Sequence, residues 1–158
     1  MKVTLRQRGI RNNVFFRLDT GFLRDAELPT QNEDVPKGAP ILHYLCYELP
    51  FPWCAHAITV SVWCATITAK IGRKKDCLYD IYFTAWDDGW LLAITPPEAA
   101  DESEIRELIS AIHALVAQIT EVRDVRWFHD DTLTCGVFHE SDFLLGTANP
   151  FDGEAISK

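Results

Sequence analysis

A chain of 158 residues, 47% of them hydrophobic and 24% charged, has the composition of a single globular domain. Folding at this length buries roughly 70% of the surface of the unfolded chain, so a core forms without a disulfide or a metal. The formal net charge of −8 and the pI near 5.0 argue against direct nucleic-acid binding. The longest apolar tract, residues 54–69, contains polar side chains and is too short for a membrane span.

Charge is distributed unevenly along the chain. Residues 1–75 contain eleven Lys or Arg and six Asp or Glu, a net charge of +5, whereas residues 76–158 contain four and seventeen, a net charge of −13. An acidic second half of this size predicts a surface that meets a positively charged partner, either a basic protein or a nucleoprotein complex. The alternative is that the basic first half neutralises the acidic half, within one molecule or across a homodimer.

The N-terminal region, residues 1–40, is expected to be irregular apart from short strands. Alternation of side chains over residues 3–8 predicts one strand, and residues 13–18 form a second strand after the turn-prone Asn12-Asn13. From residue 28 to residue 40 Pro, Thr, Gln, Asn, Glu, Asp and Gly accumulate, which indicates a loop on the surface.

The centre of the chain predicts an antiparallel meander. Residues 41–49 place apolar side chains on one helical stripe, yet Pro50 ends any helix soon afterwards, so this segment is left ambiguous. Period-2 alternation over residues 57–71 indicates one long strand, and two further strands are expected over 78–86 and 90–95. These three strands form the meander.

Paired carboxylates mark two hairpin tips. Asp87-Asp88-Gly89 lies between the second and third strands of the meander, and Gly89 is expected to supply the positive φ of a tight turn. Asp130-Asp131 is expected to join strands over 125–128 and 132–138 in a second hairpin. Aspartate is common in turns because it bonds to nearby backbone amides; an acidic contact surface or a divalent-ion site is the functional alternative.

One amphipathic helix is expected between the meander and the last hairpin. Asp101 and Glu104 have the spacing of a capping box at its start. An apolar stripe follows, formed by Ile105, Leu108, Ile109, Ile112, Leu115, Val116 and Ile119. The tail, residues 146–158, is expected to be irregular. The sequence therefore predicts a single α+β domain over 1–158, an antiparallel sheet (meander plus hairpin) with this helix packed on one face.

Two tryptophans flank the first acidic tip. Trp86 and Trp90 are explained in ordinary terms by cross-strand packing. A partly exposed tryptophan beside carboxylates would also anchor an interface, because Trp and Tyr often dominate binding energy. The predicted partner-binding surface therefore comprises Trp86, Asp87, Asp88, Trp90, Asp130 and Asp131.

Catalytic and metal-binding motifs are missing from the sequence. Neither a glycine-rich phosphate loop nor a GxSxG elbow occurs, and we expect no cofactor. The five cysteines have no CxxC spacing and no HxxxH pair accompanies them, so no metal site is predicted, and reduced thiols in a cytoplasmic protein are expected. A Cys–His nucleophile pair stays open, and a small enzyme would use a pocket near Asp80, His129, Cys135 and His139.

These features favour a non-enzymatic acidic binding or inhibitory protein in the manner of immunity proteins and inhibitors of defence complexes. One alternative is a chaperone-like dimer that holds a segment of a client protein, with residues 41–51 as part of its groove. The other is the small enzyme with a pocket between helix and sheet.

Overall fold

The computed structural model describes residues 4–18, 39–61, 66–86, 89–129 and 145–152. In these ranges it has an α+β fold in which six strands form one antiparallel sheet with the order β2-β3-β4-β5-β1-β6, as the fold class predicted from the sequence requires. The elements in chain order are β1 (Asn13–Leu18), α1 (Ala39–Glu48), β2 (Cys54–Ser61), β3 (Thr66–Lys74), β4 (Cys77–Trp86), β5 (Gly89–Thr95), α2 (Glu102–Gln118) and β6 (Val122–Phe128).

One face of the sheet and both helices share a single core. Side chains at alternate strand positions point to this face, because successive residues of a strand face opposite sides. They are Val14, Phe16, Ile67, Ala69, Ile71, Tyr79, Ile81, Phe83, Trp90, Leu92, Ile94 and Trp127. The predicted apolar stripe of α2 is buried against them along its whole length, and helix α1 adds Ile41, Leu42, Leu45, Cys46 and Leu49.

The outer face of the sheet divides into two parts. Around β1 it is covered, since Phe15, Leu91 and Phe128 are buried there although they lie outside the main core. Over β3 and β4, Lys70 and Tyr82 are exposed. The sheet therefore presents a polar outer face on the side of β2.

Strand β1 lies between β5 and β6 and is antiparallel to both. Just before it, the buried Asn12 donates from Nδ2 to the carbonyl of Ile94 at 2.8 Å, and the Ile94 N–H donates back to the Asn12 carbonyl at 2.9 Å. Because β5 and β6 are each antiparallel to β1, they run in the same direction. Helix α2 makes the crossover between them, as parallel strands require.

The prediction of one long strand over 57–71 is wrong. Two antiparallel strands occupy this stretch, with Ser61 paired to Thr66 and Cys54 paired to Gly72. Period-2 alternation is the same for one strand as for the two arms of a hairpin. Residues 62–65, which lie outside the described residues, contain no Gly, Pro, Asn or Asp that would mark a turn.

The expected strand over 3–8 is also wrong in its described part. Residues 5–9 form turns: the Arg8 N–H donates to the Thr4 carbonyl at 3.1 Å, and Thr4 Oγ1 accepts from the Gln7 N–H at 3.2 Å. Gly9, with φ of 69°, then reverses the chain before Ile10. A local side-chain acceptor thus competes successfully with strand pairing.

Gly89 has a role different from the one expected. It is not in the left-handed region; it is the first residue of β5, paired with Trp86 and with Arg17. A Cβ at this position would lie 2.1 Å from Cζ of Phe15. Glycine is needed here because the Phe15 ring lies directly over the backbone.

The ambiguous segment 41–49 is helical and belongs to α1, which ends before Pro50 as expected. The strand predicted over 125–128 is part of the longer β6, whereas its predicted hairpin partner over 132–138 lies outside the described residues. In the tail, residues 146–152 form no strand of their own. They dock through two isolated bridges, Trp127 with Thr147 and Ile10 with Phe151.

The N-cap of α2 provides a test of the fold. Asp101 accepts a hydrogen bond from the Glu104 N–H at 2.8 Å, as the spacing predicted. We expect Asp101→Ala to lower the free energy of unfolding by about 1 kcal/mol, because one amide of the first turn loses its acceptor. Asp101→Asn keeps an acceptor and should lose much less. Urea denaturation measures both, and equal losses in the two variants would contradict the capping role.

Candidate functional site

Ion pairs connect the basic first half of the chain to the acidic second half. Four such pairs lie within the described ranges: Arg11–Asp152, Arg17–Asp124 at 3.1 Å, Lys70–Asp80 at 2.6 Å and Arg73–Glu107 at 3.1 Å. Exposed pairs of this kind contribute little to stability, about 0–1 kcal/mol each. Their consequence is electrostatic, because each pair is neutral and the net charge of −8 stays on the rest of the chain.

The N-terminal half of α2 is acidic and contacts the basic end of β3. Glu102 is held within the helix by Arg106 at 3.2 Å, and Glu107 binds Arg73 near the end of β3 at 3.1 Å. The guanidinium of Arg73 also lies over the ring of Trp53, 5.6 Å from its centroid. The contact between the end of β3 and α2 is therefore an ion pair at the surface with the Trp53 ring beneath it.

Glu104 is the acceptor at the centre of this contact. Its Oε1 accepts from the hydroxyl of Tyr79 at 3.2 Å and from the thiol of Cys77 at 3.7 Å, so it does not complete the reciprocal half of the capping box. Burial, followed by the charge of Glu104, raises the pKa of both Tyr79 and Cys77. Both groups are therefore kept as neutral donors, and the cluster ties α2 to β4.

The predicted partner-binding residues are only partly within the described ranges. Asp87, Asp88, Asp130 and Asp131 lie outside them, and for Trp86 only the backbone is described. The register pairs Trp86 with Gly89 and Trp90 with Ala85, so the two tryptophans do not stand opposite each other as cross-strand packing would require. The Trp90 ring is 8% exposed and stacks on Phe83 with 5.3 Å between centroids, so a partner could reach little of it.

The two candidate catalytic groups that lie within the described residues, Asp80 and His129, have separate partners. Asp80 binds Lys70 on the outer face of the sheet. His129 is buried after β6, where Nδ1 donates to the Ile10 carbonyl at 3.0 Å and Nε2 lies 3.3 Å from Asp152 Oδ2. Cys135 and His139 lie outside the described residues. Within the described ranges, no group of three or more His, Cys, Asp or Glu side chains is placed to hold a metal ion.

Two exposed aromatic side chains lie in segment 41–51, which the sequence analysis named only as part of a client groove and not residue by residue. Phe51 is 96% exposed and Tyr47 is 75% exposed, at the end of α1 and in the turn that leads to β2. Full burial of such a side chain would contribute roughly 1.5–3 kcal/mol. The sequence contains two features that indicate this exposure. Tyr47 lies off the apolar stripe of α1, and Phe51 lies between two prolines.

Strand β2, which follows Phe51, lies at one end of the described part of the sheet. Among the described residues its only neighbour is β3, and Cys54, His56 and Ala57 are exposed along it. A register shift between Ala55 and Ala57 marks a bulge.

Helices in the described part of the chain are all too short or too polar to cross a membrane. Comparison of the chain with protein families, curated proteins and solved structures found no match. The candidate site therefore rests on the charges and exposed groups described above.

The half-buried His113 provides a pH test. Its Nδ1 accepts from Trp127 Nε1 at 3.0 Å, and burial lowers the pKa of His113. The unfolded chain therefore binds this proton more readily, so the stabilisation is complete above about pH 6.5 and is lost as the pH falls through the lowered pKa. We expect wild-type stability to fall more between about pH 7.5 and pH 5.5 than that of His113→Asn, which keeps an acceptor and does not titrate. Urea denaturation at both values measures this, and equal falls would contradict it.

Three described thiols should differ in reactivity. Burial raises the pKa of Cys46 to about 12, and burial with Glu104 raises the pKa of Cys77. Cys54 is exposed, and its Sγ lies 3.4 Å from His56 Nε2. We expect iodoacetamide to modify Cys54 first and Cys46 last in the native protein, as measured by peptide mass spectrometry. The rates should converge in urea, and a native Cys46 that reacts as fast as Cys54 would contradict the assignment.

Proposed function

We propose that the protein is a non-enzymatic acidic binding protein of the cytoplasm that engages a basic protein or a nucleoprotein complex. Immunity proteins and inhibitors of defence complexes act on their targets in this general way. The observation that supports the proposal is the pairing of charges. Four bases of the first half are already bound to acids of the second half, so the net charge of −8 is carried by groups outside these pairs.

An excess of negative charge acts on association before contact is made. It steers a cationic partner toward the surface and raises the rate of encounter. Carboxylates then bind the partner's Lys and Arg side chains by charge-assisted hydrogen bonds. The acidic tips Asp87-Asp88 and Asp130-Asp131 remain the predicted contacts, with Trp86 beside the first tip. Trp90 is no longer proposed as an anchor, because its ring is buried.

Capture of a partner from host lysate at low salt tests this proposal. The bait variants are Asp87→Lys with Asp88→Lys, and Asp130→Lys with Asp131→Lys. We expect wild-type protein to retain a basic partner in stoichiometric amount and at least one variant to lose it, because each variant repels cations at one tip. Quantitative mass spectrometry of the retained proteins measures the effect.

A matched control separates local contact from net charge. Asp76→Lys with Glu121→Lys makes the same change of charge away from the tips. Equal loss of the partner in this control and in the tip variants would mean that the general field binds, without contact at the tips. Retention of no partner by the wild type would contradict the proposed function itself.

A chaperone-like dimer is the second candidate, and one observation favours it. The segment 41–51 is expected to contribute to a groove for a client. It contains two exposed aromatic side chains, Tyr47 and Phe51. Exposed aromatic side chains are suited to an amphipathic client segment, because they bury large area at low entropic cost.

The mass in solution discriminates the two candidates. We expect the acidic binder to be a monomer at micromolar concentration, since two copies with a charge of −8 repel each other. Light scattering after size exclusion gives the mass. A dimer that dissociates in Phe51→Ala but persists in Leu145→Ala, which truncates another exposed apolar side chain, would contradict this expectation and favour the chaperone.

A further inference from the structure

Cys54 carries an exposed thiol at the first position of β2. Its cross-strand partner is Gly72, two residues from Lys70 on the outer face of the sheet, so the Cys54 side chain lies on that face as well. Gly72 has no side chain of its own to cover the sulfur. The thiol is therefore accessible to a small reagent in solution.

A bulge brings a base to this thiol. The register of β2 against β3 shifts between Ala55 and Ala57, which leaves His56 out of the ladder. Backbone positions two residues apart in a strand are separated by about 7 Å, yet His56 Nε2 lies 3.4 Å from Cys54 Sγ. Bulges re-aim a side chain and are common beside reactive groups. The exposed imidazole of His56 is thus held against the thiol.

The thiol proton has two neighbouring acceptors. The Gly72 carbonyl lies 3.7 Å from Cys54 Sγ, and the imidazole nitrogen lies 3.4 Å from it. Of the two, only an imidazole takes up a proton near neutral pH. The thiolate, not the thiol, is the nucleophile. Neutral His56 therefore removes the proton as the sulfur attacks, and the imidazolium that results lies beside the negative charge.

The other two described thiols have different surroundings. Burial raises the pKa of Cys46 to about 12, and burial followed by the charge of Glu104 raises the pKa of Cys77. The Cys77 thiol donates to Oε1 of Glu104 at 3.7 Å, and a carboxylate in that position opposes ionisation of the thiol. Among these three thiols, Cys54 is the one that geometry prepares for nucleophilic attack.

The charge near Cys54 selects the class of reagent. The end of β3 and the turn after it contain Arg73, Lys74 and Lys75 in succession, followed by the acid Asp76. Arg73 forms an ion pair with α2, whereas Lys74 and Lys75 are exposed, which leaves two positive charges against one negative charge. Lys74 lies two residues beyond the partner of Cys54, about 7 Å along the strand and within the screening length of about 8 Å in physiological salt. This local field favours an anionic reagent, although the whole chain is acidic.

We propose that Cys54 is a site of reversible modification by the disulfide of a small anionic thiol, such as oxidised glutathione, with His56 as the base. The Cys54 thiolate attacks one sulfur of the disulfide, a mixed disulfide forms at Cys54, and the original S–S bond breaks. The electron pair of that bond leaves with the second thiolate, which takes up the proton that His56 removed. The disulfide is itself the oxidant, and a free thiol reverses the reaction. This site goes beyond the proposed binding function and does not depend on it.

Oxidised glutathione added to the native, full-length protein tests the site. We expect a glutathione adduct at Cys54, located by peptide mass spectrometry, and its removal by a reducing thiol. Cys54→Ser should abolish this adduct. Absence of any adduct at Cys54, or faster addition at Cys46, Cys77 or another thiol of the native protein, would overturn the proposal.

The rate and its pH dependence test the role of His56. We expect His56→Gln to slow the reaction about five- to tenfold at about pH 7, because a smaller fraction of the thiol is then ionised. The rates should converge near about pH 9, where a free thiol ionises without a base. Ala57→Gln places the same side chain at the next exposed position and should leave the rate unchanged. Equal slowing of His56→Gln at both pH values, or no slowing at all, would contradict the base.

The charge of the reagent is tested with three disulfides. Dithionitrobenzoate is anionic, dithiodipyridine is neutral and cystamine is cationic, and each is compared between wild type and the double variant Lys74→Gln with Lys75→Gln. At low salt we expect the variant to react about threefold more slowly with the anionic reagent, equally with the neutral one and faster with the cationic one. The same change of rate with all three reagents would contradict the selection of an anionic disulfide.

Discussion

The structure depends on the insertion of β1 between β5 and β6. Within the described sheet, β1 is the strand that connects the meander, which ends at β5, to β6. The insertion is held by the reciprocal bonds between Asn12 and Ile94 and by the absence of a side chain at Gly89, which admits the Phe15 ring. It joins the first and last described strands of the chain, so the sheet is complete only when residues far apart in sequence have met.

The same insertion places opposite charges together. Arg17 at the end of β1 meets Asp124 in β6, and Arg11 just before β1 meets Asp152 in the docked tail. The hairpin β3–β4 does the same with Lys70 and Asp80. The pairing of strands thus brings some bases of the first half of the chain next to acids of the second half, and these charges neutralise each other. The molecule that results is acidic, with a net charge of −8, and this excess of negative charge is the physical basis for proposing a basic partner.

Local chemistry allowed much of the fold to be predicted from the sequence. The Asp101 cap and the apolar stripe define α2, while β4 is predicted from the aromatic-rich segment 78–86 and β5 from the segment 90–95 that ends at Pro96-Pro97. Each of these signals is contained within a few residues. The wrong predictions concern segments whose local sequence is compatible with two different structures. Alternation over 57–71 suited one strand or two, and Gly89 suited a turn or a close contact with Phe15, which is distant in sequence. The candidate site was less predictable, because the burial of Trp90 and the exposure of Phe51 depend on neighbours that only the folded sheet provides.

The most direct test of the account is the affinity of the captured partner as a function of salt. Isothermal titration at NaCl concentrations from about 0.05 M to 0.5 M would measure it, since exposed charges are screened over progressively shorter distances in this range. The account predicts that the affinity falls by at least about tenfold, mainly through slower association. An affinity that is unchanged over the same range would contradict a binding mechanism based on the acidic charge of the molecule.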